Sequence, residues 1–284
     1  MDIVDFSKFR KFNRYVKYTN YEFKFFEDII YDNCIWKLKY SPSFQYECYS
    51  EYIGSHIFDI LGMQSQETLL GTCQYGGKRI PVVACKDFTT DRFLKFIDLV
   101  EMIGSQSKKE KNLSHPLEDT IFFIKSQTMV DSEVFLKYFY KIIFIDLYID
   151  NPDRIWRNFG FFIKDNEHTA IAPVFDNGDC LYSVELSHDI NFIYSVLSKI
   201  QLNNYSPRSD FYGTEKILYR LNFLQDDLLK EALCWVVDAV NERKHLIENM
   251  IEDISLISER EKEFYKILLT ANHKFLSSLR KEYC

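Results

Sequence analysis

No two cysteines in this sequence are spaced C-x-x-C. The seven cysteines are odd in number and scattered, which speaks against a structural zinc site or a disulfide framework and for a reduced, cytoplasmic-type chain. A long apolar run is also missing. The greasiest stretch, 142–149, is interrupted by Asp146 and is too short to span a bilayer. The opening MDIVDFSKFRKF has no apolar segment of the kind a secretory signal needs. These omissions predict a cytoplasmic protein with no membrane partner, and leave open export by a route that uses no N-terminal signal. There is no basic excess either. Lys and Arg number 35 against 42 Asp and Glu, a net charge of −7, so no nucleic-acid partner is expected. Glycine is sparse, and none falls in Lys17–Phe26, KYTNYEFKFF.

What is present concentrates between Asp150 and Leu181, DNPDRIWRNFGFFIKDNEHTAIAPVFDNGDCL. Asp153 is followed five residues later by Asn158. Then come an apolar run (159–163), a polar turn, a second apolar run (171–175) and Asp176-Asn177-Gly178. D-x-x-x-x-N, with D-x-G after a later strand, is the spacing of a protein-kinase catalytic loop and its metal-binding segment. One carboxylate must meet the substrate hydroxyl, while an amide and a second carboxylate hold Mg²⁺ on the nucleotide phosphates. A loop followed by a short hairpin puts all three at one rim. The five-residue spacing alone says little, because Asp and Asn are common in loops; the D-x-G makes it more specific.

Ahead of this stretch, 21–31 and 34–40 read as two strands around Asp32-Asn33, a pair suited to a hairpin turn. The second strand, CIWKLKY, places Lys37 and Lys39 on one face and Trp36 and Leu38 on the other. Alternation alone would make the lysine face an ordinary solvated one. A helix is expected over 47–61, stopped by Gly62, with Glu51 near its start and His56 on its apolar face as a satisfied core histidine. Strands are expected over 66–74 and 79–88 about Tyr75-Gly76-Gly77-Lys78. A helix should begin at Thr89 and run to Ile103, followed by a solvated polar loop, 105–115. Helices over 117–124 and 133–149 should lead into the catalytic loop, and 189–200, 214–223, 226–254 and 258–282 are helical by period. Residues 1–19 show no clean period. No repeat or linker divides the chain.

With the strand lysine, helix glutamate, loop Asp/Asn and D-x-G in this order, the chain resembles the HipA-like Ser/Thr kinases, and within them the cell-translocating, pro-inflammatory bacterial branch. The resemblance is carried by SEYIGSHI (50–57), LGMQSQETLLGT (61–72), VVACKDFTT (82–90), NPDRIWRNFGF (151–161) and IAPVFDNGDCL (171–181). The corresponding family patterns run roughly S-E-Y, Q-E-T-L-L-G, V-V-A-C-K-D-F, N-x-D-R-H-x-x-N-x-G-F and A-P-I-x-D-x-G. It implies an α+β, two-lobed kinase-like fold, with a sheet-rich N-lobe (1–88) and a mostly helical C-lobe (89–284). It also implies ATP with Mg²⁺. Lys39, rather than Lys37, falls on the phosphate-contacting lysine and Glu51 on its helix partner. Cys85, Lys86 and Phe88 fall on the hinge that meets the adenine. Asp153 falls on the catalytic base, and Asn158 and Asp176 on the metal ligands. Arg154 reads as a structural clamp of the loop. Two departures stand out: the glycine-free stretch 17–26 lies where the family has a phosphate loop, and Ile155 replaces the histidine after Asp-Arg.

The function this implies is phosphoryl transfer from ATP to a protein Ser or Thr, including the kinase itself, in a bacterial toxin or effector whose partner is an antitoxin or a host protein. Two alternatives stay open on the residues alone. The missing glycines suit a pseudokinase, a nucleotide-binding interaction module without turnover. The D-R-x-x-x-N and D-x-G pattern also occurs in phosphoinositide-type lipid kinases, though no basic membrane patch supports that reading.

Overall fold

The computed structural model describes residues 3–19, 22–43, 45–89, 95–104, 116–128, 130–164, 168–203, 205–208, 212–224 and 226–284. The N-terminal part is built on strands β1 (Val4–Asp5), β2 (Phe12–Thr19), β3 (Glu22–Tyr31), β4 (Cys34–Tyr40), β5 (Thr68–Tyr75) and β6 (Lys78–Lys86), with helix α1 (Gln45–Leu61) between β4 and β5. They form one sheet in the order β1-β5-β6-β4-β3-β2, antiparallel except for the β1–β5 pair. The alternation seen in CIWKLKY is realised. Trp36 and Leu38 are buried with Phe6, Phe25, Ile29, Tyr40 and Val82 on the sheet's outer face, while Lys37 and Lys39 point the other way. Residues 12–19, which show no clean period, form the edge strand β2. Residues 13–17 are all exposed there, so neither face imposes an alternation.

Next come β7 (Lys95–Asp98) and the helices α2 (Leu99–Gly104), α3 (Pro116–Ser126) and α4 (Ser132–Ile149). The expected helix over 89–103 is corrected here. Residues 95–98 are a strand and only 99–104 are helical, while 90–94 lie outside the described residues. The reason is tertiary. β7 pairs with β8 (Gly160–Lys164), which pairs with β9 (His168–Ile171), in a three-stranded sheet. Phe96 is thereby drawn into a ring cluster with Phe88, Phe162 and Phe175. The expected polar loop over 105–115 also falls outside the described residues.

After that sheet the chain is helical: α5 (Ser183–His188), α6 (Phe192–Gln201), α7 (Thr214–Tyr219), α8 (Asp227–Glu252) and α9 (Glu259–Tyr283). α9 opens with a capping box, in which Ser258 and Glu261 satisfy each other's backbone N–H groups. α4 is the central helix. From Ile142 to Ile149 every residue is buried, and it packs against α3, α8 and α9. Helix α1 joins this larger core rather than the sheet's outer one. Its Gly54 is required, because a Cβ there would meet Asn177 Cβ at 2.8 Å and Cys180 Sγ at 3.1 Å. Among the described residues no helix is long and apolar enough to cross a membrane.

Candidate active site

The stretch 150–181 leaves α4 through Asp150, a buried aspartate in the left-handed region (φ 56°, ψ 51°) that ends the helix. A buried arginine then fixes the loop. Arg154, 1% exposed, donates through Nε (3.0 Å) and Nη2 (3.0 Å) to the Asp146 carboxylate, through Nη1 to the Phe175 carbonyl and through Nη2 to Asn177 Oδ1. Asn151 donates to the same Asp146 carboxylate (3.0 Å). Arg154 is therefore the structural clamp expected of it. It ties the loop to the carbonyl before Asp176 and to the side chain after it. Asp146, which interrupts the apolar run, is the anchor of that clamp and carries no separate sequence signal.

Asn177 was not singled out in the sequence, yet it joins three elements. Its N–H donates to Glu51 Oε1 (2.9 Å), its Nδ2 to Ser55 Oγ (3.0 Å), and its Oδ1 accepts from Arg154. Glu51 is fully buried in α1, six residues into the helix, and not an exposed first-turn acid. Its other oxygen accepts from Lys39 Nζ at 2.6 Å, and Lys39 Nζ also reaches Asp176 Oδ1 at 2.9 Å. Burial alone would depress the lysine, but Asp176 and Glu51 outweigh it and hold the ammonium well above its usual range. In return, Lys39 holds the Asp176 carboxyl below the ordinary aspartate value. A Cβ at Gly178 would lie 3.4 Å from Glu51 Oε2 and 3.7 Å from Lys39 Nζ, ordinary contact distances, so this packing does not itself demand a glycine there.

Asp153 is exposed, and burial of its surroundings with the neighbouring Asp179 and Asp176 carboxylates pushes it up to about 6. It shares a hydrogen bond with Asp179, a third acid that sequence reasoning missed. Buried Asn158 donates Nδ2 to the Asp153 carbonyl at 3.1 Å, which leaves its Oδ1 for another partner. His56 accepts its expected role: its Nδ1 lies 2.9 Å from the Tyr52 carbonyl and burial lowers its pKa.

A cleft of about 230 Å³ opens between the sheet and the helical part, lined by Phe26, Lys37, Lys39, Gln66, Cys85, Asp87, Phe88, Thr89, Phe96, Phe175 and Asp176. Lys37 lies there without an ion-pair partner among the described residues. Lys86 does not line it. Its ammonium pairs with Glu67 (2.6 Å) and sits over Trp36, its N–H donates to Glu67 O and its carbonyl accepts from Gln66 Nε2. The hinge segment thus offers Phe88 and Cys85 to the cleft, but neither the side chain nor the backbone polar groups of Lys86. A larger cavity, about 590 Å³, lies between α6 and α9, away from all of these residues.

The groups around Asp176 fit a hard cation. Asp176 is held ionised, and Asn158 keeps an amide oxygen uncommitted, both oxygen donors of the kind Mg²⁺ takes. Among the described residues no three His, Cys, Asp or Glu side chains converge to hold a metal unaided. One or two protein ligands completed by phosphate oxygens is the usual Mg²⁺ arrangement at a nucleotide.

No family model matches the chain. It is 29% identical over 256 residues to the serine/threonine-protein kinase CtkA of Helicobacter pylori, which covers 85% of this chain and 77% of CtkA. Among solved structures it is similar to the H. pylori proinflammatory kinase CtkA, with a TM-score of 0.81 and 25% identity over 99% of this chain and 98% of that one. HipA of Shewanella oneidensis, solved with HipB and operator DNA, shares the fold at a TM-score of 0.55. It is 13% identical and covers 95% of this chain and 65% of HipA. The α+β kinase-like architecture implied by the sequence motifs is the one found.

Proposed function

We propose that the chain, similar to the serine/threonine-protein kinase CtkA and sharing the HipA fold, is itself a serine/threonine protein kinase that moves the γ-phosphoryl group of Mg-ATP to a Ser or Thr hydroxyl of a protein, itself included. The observation that supports this most is the Lys39–Glu51–Asp176 cluster, which bridges the two walls of a cleft whose other residues suit a nucleotide. Phe88, Phe96 and Phe175 offer an apolar surface for a base. Lys39 and Asp176 present charge of both signs for phosphate and cation. In this reading the sheet-rich lobe ends near residue 88, and the cleft lies where the two lobes meet.

Each residue then has a definable task. Asp153 orients the acceptor hydroxyl and takes its proton late, the positioning role a base has in a loose transition state. Lys39 meets the phosphates and is itself oriented by Glu51. Mg²⁺ held by Asp176 and Asn158 would offset phosphate charge. Asp176 and Lys39 bind each other here, so a nucleotide has to exchange that contact for its own. Arg154 and Asn177 keep Asp153 and Asp176 in fixed relation while this happens. A toxin- or effector-type role would follow from the substrate, which is a protein partner such as an antitoxin or a host protein.

The test is incubation of purified protein with γ-labelled ATP and Mg²⁺, alone and with a generic Ser/Thr protein acceptor. Label on Ser or Thr, abolished by chelation, is the expected result. Label transferred only to lipid vesicles, or none at all, would overturn it.

A further inference from the structure

Arg154 fixes the catalytic loop from within. A second arginine, from a distant segment, grips it from the opposite end. Arg208 sends Nε to Asp150 Oδ1 at 2.7 Å, and its own backbone N–H reaches the same oxygen at 3.2 Å. Its Nη1 donates to Glu185 on α5, and its guanidinium lies 3.8 Å from the centre of the Tyr182 ring. Tyr205 donates its hydroxyl to the other Asp150 oxygen. Asp150 is fully buried, so its carboxylate needs these donors.

The backbone shows what the grip restrains. Of the eight non-glycine residues with positive φ among the described residues, Asn13, Asp32, Asn33 and Asn203 are Asn or Asp outside the site, the types that tolerate that region. The other four are Asp150, Asp176, Leu181 and Tyr182. Two of these are bulky, consecutive and follow the metal-binding segment. Such conformations persist only where their surroundings over-determine them. Arg208 contacts the first and the last of the four, and Leu181 N–H bonds the Ile149 carbonyl at 3.0 Å beside Asp150.

We propose that Arg208 and Asp150 are positioning residues for the transfer. Arg208 spans the start of the catalytic loop and the exit of the metal-binding segment, and so sets Asp153 against Asp176. The proposal rests on the kinase reading above. A built-in comparison exists. Arg220, more deeply buried than Arg208, pairs with two carboxylates, Asp226 (2.8 Å) and Glu118, and contacts none of the site.

The experiment compares Arg208→Ala and Arg220→Ala in the full chain, measuring transfer at saturating Mg-ATP, Mg-ATP affinity and hydrogen exchange of the loop amides 151–158, all below each variant's melting temperature. Misplacing a catalytic group by about 1 Å costs on the order of 10²-fold, so Arg208→Ala should lose about that in turnover with affinity retained, and its loop amides should exchange faster. Arg220→Ala should melt lower while keeping turnover and loop exchange. Arg208→Lys should recover part of the rate, since it keeps a charge for Asp150 but cannot fork to Glu185 as well. If Arg208→Ala does not fold, Asp150→Asn carries the test, because asparagine keeps the size and tolerates the left-handed backbone. Parent-like turnover and exchange in the Arg208 or Asp150 variants overturns the proposal, as does equal slowing in Arg220→Ala. A parent protein that transfers no phosphate refutes the kinase reading instead, and the exchange contrast still decides the positioning role.

Discussion

The two walls of the cleft are built on different principles. The sheet wall presents Lys37, Lys39 and Cys85 from regular strands, each placed by simple alternation against a buried outer face. The loop wall, 146–182, owes almost nothing to local period. It holds four left-handed non-glycine residues, two arginine–aspartate pairs with buried carboxylates and an asparagine bonded twice to α1 and once to Arg154. The first wall can tolerate a changed side chain with little backbone consequence. In the second, buried polar groups share partners in one network, so one deletion propagates. The sheet wall should accordingly govern affinity and the loop wall chemistry.

The sharpest test of that division lies within the loop wall. Asp153→Asn keeps the shape and removes the carboxylate, and should reduce transfer by about 10²–10⁴-fold with Mg-ATP binding near that of the parent. Asp176→Ala should lose metal-dependent binding as well as transfer. A thermal-shift titration with Mg-ATP beside a phosphorylation assay separates them. Retained phosphorylation in Asp153→Asn, or parent-like Mg-ATP binding in Asp176→Ala, would sink the assigned roles.

Next in size is Arg154→Ala, which strips Asp146 of its guanidinium in a site that is almost fully buried. Breaking such a pair from one side costs on the order of 3–5 kcal/mol, readable as a lower urea midpoint. A midpoint shift like that of an exposed pair, for instance after Lys95→Ala, would mean that the loop wall is not interdependent.

On the sheet wall, Lys39→Met and Lys37→Met should differ. Hydrogen bonds to charged partners are worth about 1.5–3 kcal/mol, so losing Lys39 should weaken Mg-ATP binding roughly 10- to 100-fold, and losing Lys37 much less. Loss confined to the Lys37 variant would reverse the assignment that the motif order implied.

This contrast also explains what could be read in advance. β4 and its lysines, α1 with Glu51, the hairpin turns and the long C-terminal helices follow from period and turn chemistry. Asp153, Asn158 and Asp176 follow from spacing. Asn177, Asp150, Asp179 and Arg208 do not, because their partners are distant in sequence and no local pattern marks them. Residues 95–98 were expected in a helix, and become a strand only because β8 supplies a partner more than 60 residues later. Lys86 lies in a legible motif, yet its polar groups are taken by Glu67 and Gln66, neighbours on the adjoining segment that the motif does not report.

The smallest expected effect concerns pH, and it sets chemistry against stability at one carboxyl. Asp153 sits at about 6 in the folded protein, raised by partial desolvation in the site and by Asp179, against about 3.9 for an unfolded aspartate. The folded state therefore binds this proton more tightly. The carboxyl contributes stability that is complete below about pH 4 and is lost as pH rises through about 6. Its proposed use as a base runs the other way, since the ionised form dominates only above that value. Asp153→Asn removes the titration. In metal-free buffer the variant should gain melting temperature relative to the parent as pH rises from about 4 to 7, while the parent alone gains activity over the upper part of that range when Mg-ATP is added. A cation beside Asp176 favours the ionised form, so the rate profile should rise at lower pH than the metal-free stability profile. If the melting difference between parent and variant stays flat with pH, the site does not raise the Asp153 carboxyl, and the acid cluster of the loop wall is looser than its geometry indicates.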